Sequence, residues 1–247
     1  MKKNLIFLFL SVFFFSMIQS QTVDEIINNN IKVKGGKEKL ESIKTVTMTG
    51  KMVRMNLEME LKMSYKKPLM SRIEVNFSGK KIIYAYDGKT AWQISPFTGI
   101  EGPQILTGEQ ADEAKETAEM FENPLIDYKK KGSKVELLGK DEVEGTEVFK
   151  VKLIKKDKKE IIYYIDTETF IDLKVEITRI RKDGKEIKSE SYMGDYKKVN
   201  GIMSAFSIKN KVNGVDTGNI LITSIKYDEP IEDSFFKMPE TKKEEKK

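Results

Sequence analysis

Apolar and polar residues alternate with a period of two along most of the chain. Val46, Met48 and Met52 alternate with Thr47, Thr49 and Lys51; after a phase break near Val53 and Arg54, Met55, Leu57, Met59, Leu61, Met63 and Tyr65 alternate with Asn56, Glu58, Glu60, Lys62 and Ser64. Successive side chains of a strand point to opposite faces, so the pattern predicts half-buried strands joined by a turn or bulge at the break. Further strands are predicted at 69–76, 81–86, 89–95, 134–138, 147–155, 160–166, 170–181, 186–196, 204–212 and 219–227. Ser78-Gly79, Asp87-Gly88, Glu144-Gly145, Asp183-Gly184, Asn200-Gly201 and Asn213-Gly214 separate many of them and supply the positive-φ positions of tight hairpins. A long antiparallel meander with one apolar face cannot lie flat in water, so the sheet is expected to curl with something covering its concave side.

Two stretches carry a helical period instead. Val23, Ile26, Ile27 and Ile31 form one apolar stripe opposite Asn28, Asn29, Asn30 and Lys32, ended by Gly35 and Gly36, and residues 37–43 add a turn or two with Leu40 and Ile43 inward. Residues 107–123 place Ala111, Ala114, Ala118 and Phe121 on one face and Glu109, Asp112, Glu113, Glu116, Glu119 and Glu122 on the rest, before Pro124. The acids read as a solvated face. The fold class expected is mostly β with covering helices: a curved antiparallel half-barrel under a helical lid.

Composition narrows the chemistry. The 247 residues include 44 Lys and Arg against 39 Asp and Glu, with no His and no Cys. Without imidazole or thiol there is no Ser-His-Asp or Cys-His nucleophile, no His- or Cys-ligated metal and no disulfide. The carboxylate pairs Asp141/Glu142, Asp166/Glu168 and Asp228/Glu229 sit beside turns, where they serve local hydrogen bonding, and no phosphate-binding Gly-rich loop or calcium loop occurs. The reading is a non-enzyme with no cofactor and no metal. Lysines that mostly alternate with acids along strands argue against nucleic acid as a partner.

The start of the chain reads as an export signal. Lys2 and Lys3 precede an apolar run from Leu5 to Ile18, broken by Ser11 and Ser16, then Gln19, Ser20, Gln21 and Thr22, and the run is shorter than the roughly 20 apolar residues of a membrane-spanning helix. The expected organisation is a signal peptide at 1–20, one domain at 21–240 and a disordered charged tail at 241–247.

Certain of these residues resemble a known family. Lys66-Lys67-Pro68, Arg72, Asp87-Gly88-Lys89-Thr90-Ala91-Trp92 and Ser95-Pro96-Phe97, with Phe235-Phe236-Lys237-Met238-Pro239 near the end, resemble the LolA-like periplasmic lipoprotein carriers. The resemblance implies a periplasmic monomer that takes lipoprotein acyl chains or another lipid-like ligand on its concave face, with transient membrane contact and an outer-membrane acceptor protein as a further partner. Expected cavity-wall residues are Met48, Met52, Leu57, Met59, Leu61, Met63, Tyr84, Trp92 and Phe121, with Tyr84 and Tyr86 clustering beside Trp92. Ile27 and Ile31 are expected in the lid. Arg72 is the gating candidate for the family's lid-holding arginine, with Arg54 as the other choice; Arg72 is followed here by Ile73 where the family has an aromatic residue. The same face serves equally as plain core under a helix, so a partner-binding module with a dry interior stands as the alternative.

Overall fold

The computed structural model describes residues 21–240 except 98, 100, 101 and 182, so the expected signal peptide and charged tail lie outside the described residues. Helices α1 (Val23–Val33) and α2 (Lys37–Ser42) lead into strands β1 (Thr45–Arg54), β2 (Leu57–Lys66), β3 (Met70–Phe77), β4 (Lys80–Tyr86), β5 (Ala91–Ile94) and β6 (Gln104–Ile105). Helix α3 (Glu109–Met120) follows. Then come β7 (Lys134–Val143), β8 (Thr146–Ile154), β9 (Glu160–Asp166), β10 (Asp172–Ile180), β11 (Glu186–Val199), β12 (Ile202–Val212) and β13 (Val215–Tyr227), followed by a short 3-10 helix at Asp233–Phe235.

All thirteen strands form one antiparallel sheet in the order β6-β5-β4-β3-β2-β1-β13-β12-β11-β10-β9-β8-β7. Among the described strands the only neighbours not consecutive in sequence are β1 and β13, so pairing the two ends of the meander joins its halves. The free edges are then β6 and β7, and the chain between them carries α3. Two-residue turns close many hairpins; Ser78-Gly79, Glu144-Gly145, Asn200-Gly201 and Asn213-Gly214 all adopt positive φ. The β1–β2 turn does so without glycine, at Met55 and Asn56 (φ 48° and 61°), so Met55 belongs to the turn and not to the strand alternation.

The register decides which residues share a face. Val46↔Tyr65, Met48↔Met63 and Met52↔Met59 pair across β1 and β2, while Met63↔Ile73 and Leu61↔Val75 extend the face to β3. On the other side Met48↔Ile225 and Met52↔Ile220 carry it to β13, with a bulge after Thr49. Only glycine fits at that bulge: a Cβ on Gly50 would lie 2.1 Å from the Leu221 carbonyl oxygen.

This inner face has two differently covered halves. Ile26, Ile27 and Ile31 of α1 pack with Leu125 and Ile126 onto Val151, Leu153, Ile161, Tyr163 and Ile165 of β8 and β9. The second apolar cluster, on β1–β3 and β12–β13, gathers Val46, Leu61, Met63, Tyr65, Val75, Phe206, Ile222 and Ile225. A Thr22–Glu25 capping box starts α1, and its buried Asn30 donates to the Phe170 carbonyl and the Asp172 carboxylate, both 2.8 Å. These polar contacts fix α1 against the β9–β10 connection.

Candidate functional site

The candidate site is the β1–β3 and β13 half of the inner face. Its strip of Met48, Met52, Met59, Ile73, Ile82 and Ile220 is half-buried, unlike the closed packing beneath α1. Phe121, at the C-cap of α3, lies over one end of the strip and stacks on Tyr65 with ring centroids 5.6 Å apart. Between Phe121, α2 and the sheet is a cavity of about 300 Å³ lined by Leu40, Ile43, Met48, Tyr65, Ile202 and Tyr227 among others. That volume is at the small end for ligand pockets. Burial pushes the Tyr65 phenol up to about 12, a sign of how apolar this corner is. Unbranched thioether side chains on two paired strands make this a wall of adaptable shape.

Helix α3 closes the gap between the sheet edges by two unlike faces. Ala111, Ala114 and Ala118 pack against Leu69, Tyr86, Ala91 and Leu106 on one wall. From the opposite wall Arg179 Nε and Lys159 Nζ donate to the Glu116 carboxylate at 2.5 and 2.6 Å, and Lys155 pairs with Glu119. Arg181 lies 3.6 Å from Glu109. Burial disfavours the Lys159 ammonium, but its hydrogen bond to Glu116 and the charges of Glu116, Asp157 and Glu119 outweigh this and raise its pKa above the ordinary lysine value. Tyr86 on β4 and Arg179 on β10 are seven strand steps apart in the sheet, about 34 Å if it were flat. A helix only about 10–12 Å across touches both, so the sheet curls around it. Glu116 and Glu119, with Glu109 beside Arg181, therefore form a clasp rather than part of the solvated face expected, because the curl brings the β8–β9 and β10–β11 turns to them, while Asp112 and Glu113 stay exposed.

The structure brings together Met48, Met52, Met59, Leu61, Met63 and Phe121 in one cluster. Leu57 and Tyr84 share that face by register but are exposed, Leu57 beside the β1–β2 turn. Ile27 and Ile31 are packing residues of α1. Two expectations are corrected. Trp92 pairs with Ala85, not with Tyr84 or Tyr86, so it is on the outer face, fully buried with Ile83 and Ala85, and its indole donates to the Phe236 carbonyl at 2.8 Å. Arg72 is on that outer face too. It donates to the Phe235 carbonyl at 2.7 Å and pairs with Glu74, its guanidinium 4.5 Å from the Phe235 ring centroid. The matched Arg, Trp and Phe-Phe elements are thus parts of one device that straps the C-terminal segment across the back of the sheet. A one-residue step flips a strand side chain to the other face, and nothing local in the sequence says which face β5 turns inward.

The clasp residues Glu116, Glu119, Lys155, Lys159 and Arg179 were missed. Their signal was the spacing of Glu109, Glu113, Glu116 and Glu119 along one helical stripe together with cationic turns far away in sequence. Among the described residues no group of three or more His, Cys, Asp or Glu side chains is placed to hold a metal ion, and no helix is long and apolar enough to cross a membrane.

A family model described as "-like: Uncharacterized protein" matches residues 125–242. No curated protein matches the sequence. Among solved structures, a DUF1329 family protein from Desulfovibrio piger superposes with a TM-score of 0.56 at 13% identity, over 87% of this chain and 97% of that one. A LolA superfamily protein from Nitrosomonas europaea gives 0.54 at 13% identity over 88% and 98%. A structure from Vibrio parahaemolyticus described as an outer membrane lipoprotein-sorting protein domain gives 0.53 at 14% over 86% and 94%. At these identities the likeness is one of fold, and the fold is LolA-like: a mostly β, open, curved antiparallel sheet with three α-helices among the described residues.

Proposed function

We propose, from the fold held in common with LolA superfamily and lipoprotein-sorting structures, that this chain is a non-enzymatic periplasmic carrier. It takes one acyl chain of a lipoprotein or lipid onto the methionine strip of its inner face for transfer toward the outer membrane. The observation that carries the reading is that Met48, Met52, Met59 and Ile73 form a continuous apolar strip left half-covered beside a cavity roofed by Phe121. Each chain methylene buried there contributes about 0.8 kcal/mol, so a chain of ordinary length offsets the displacement of one short helix. Residues 21–240 act as a single carrier domain in this reading, with Ile27 and Ile31 holding the fixed part of the cover and α3 its movable part.

The test is detergent-free purification of the exported protein, followed by native mass spectrometry and an organic extract. Bound phospholipid or acylated peptide supports the carrier. A clean apo mass, together with unchanged uptake of a fluorescent fatty acid by the Met59→Glu, Leu61→Glu double variant, sinks the assignment of this face. The tight packing under α1, where Val151, Leu153 and Ile165 are fully buried, favours the alternative of a dry-cored partner-binding module for that half of the sheet alone.

A further inference from the structure

The clasp on α3 has the makeup of an anion site whose occupant is a side chain. The largely buried Glu116 gives one carboxylate oxygen to each of two cations, one from the β8–β9 turn and one from β10. Lys159 Nζ donates to Oε1 at 2.6 Å and Arg179 Nε to Oε2 at 2.5 Å. Two cations converging on both oxygens of a carboxylate offer the same donors to the two free oxygens of a phosphodiester.

These groups line a cleft of about 510 Å³ between α3 and the β8–β9 and β10–β11 turns. Charge in the cleft is divided by element. Glu109, Asp112, Glu113 and Glu116 line it from α3. On the sheet side stand Lys158, Lys159, Arg179 and Arg181, joined by Lys155 when Glu119 of α3 leaves it. Against them are Asp157, Glu160 and Glu186, with Asp183 3.9 Å from Arg181, and of these acids Glu160 is shared with Lys152 at 3.5 Å. Lys156 and Lys185 are on the same two turns. The cleft is thus acidic with α3 seated, and its sheet side is cationic without the helix.

The cavity assigned to the acyl chain begins one residue away. Thr117, next to Glu116, lines that cavity, and Phe121 over it lies five residues, or about 7.5 Å, further along α3. A chain entering beneath Phe121 displaces α3, and Glu116 leaves its two donors with the helix. Part-buried cations left unpaired are costly unless another anion takes the place of the carboxylate.

We propose that the Glu116 carboxylate stands in for the head group of the cargo, and that Lys159 and Arg179, with Lys155 and Arg181 beside them, select an acyl lipid with an anionic phosphate head. The inference rests on the carrier reading for the chain and adds the class of head group. A lipid with no net charge on its head binds at the cost of displacing Glu116 without replacing it.

The experiment is calorimetric titration of lysophosphatidylglycerol and lysophosphatidylcholine, each below its micelle concentration, into the exported chain. Expected is about tenfold tighter binding of the glycerol form. Lys159→Arg keeps this preference. The Lys159→Gln, Arg179→Gln double variant loses it but still binds the choline form, because α3 is freed and no cradle remains. Glu116→Gln separates a cradle from a plain closure: it frees α3 and leaves the donors in place, so it strengthens binding of the glycerol form more than of the choline form. Lys226→Gln, which removes one positive charge from an exposed side chain paired with Glu229, alters neither affinity. Glycerol phosphate, which carries no chain, is expected to bind the Glu116→Gln variant and to stop binding when Arg179→Gln is added. Circular dichroism checks that each variant is folded. Equal affinity of the parent for the two lysolipids, a preference that survives in the double variant, or no binding of glycerol phosphate to Glu116→Gln would each overturn the proposal. Binding of neither lysolipid, with glycerol phosphate still bound by Glu116→Gln, refutes the carrier reading and leaves the cradle standing.

Discussion

Replacing Glu116 by Gln tests whether α3 is held by its clasp. The substitution keeps shape and one acceptor oxygen but removes the charge that Arg179 and Lys159 share at 2.5 and 2.6 Å. Breaking a fully buried pair from one side costs about 3–5 kcal/mol. Here the Glu116 side chain is only 11% exposed, but Arg179 and Lys159 are 27% and 38% exposed, so water screens part of the loss and about 2 kcal/mol is the expected size. The apolar side of α3 offers little to compensate. Three alanine methyls at about 0.8 kcal/mol each contribute about 2.4 kcal/mol, and an isolated helix of this length is marginal in water. The clasp is thus comparable to the packing, and its loss opens α3 locally. Hydrogen exchange over residues 107–123 is the assay, and about 2 kcal/mol corresponds to roughly thirtyfold faster exchange. Amides of β8, β9 and β13 are expected to keep their protection. Unchanged exchange in α3, or an equal loss throughout the sheet, would refute the clasp as a local closure.

Two further outcomes follow from buried groups. The neutral phenol of Tyr65 is stabilised by burial, its pKa rising from 10.0 to about 12, so the stability it supplies is complete below pH 10 and is lost as pH climbs through 12. Two pKa units amount to about 2.7 kcal/mol; Tyr65→Phe should shrink the fall in melting temperature over that range, and an unaltered alkaline profile would contradict the buried setting. Phe236 is fully buried beneath the strap, and Phe236→Ala is expected to cost about 3–5 kcal/mol, roughly 10 °C in Tm, while the single Trp92 moves to longer-wavelength emission. A blue emission unchanged in that variant would mean that the strap does not cover Trp92.

The local elements were written in the residues themselves. The alternation from Val46 to Tyr65, the helical stripe of Ile26, Ile27 and Ile31, and the Gly-containing turns act over a few positions, where strand parity, helical period and positive φ leave few alternatives. The β1–β2 turn was harder because Met55 and Asn56 adopt left-handed φ without a glycine to mark it. Grouping Met48, Met52, Met59 and Met63 on one face needed only parity. What parity could not supply was the side on which Trp92 and Arg72 stand, because each strand's inward face depends on its register with a neighbour and on what covers it. Nor could it supply the clasp, in which Glu116 meets Lys159 and Arg179 across 43 and 63 positions of sequence. Those contacts exist because β1 pairs with β13 and the joined sheet curls until its two edges face the same helix. Period and turn chemistry are properties of short stretches, whereas closure and cover are properties of the whole packed sheet.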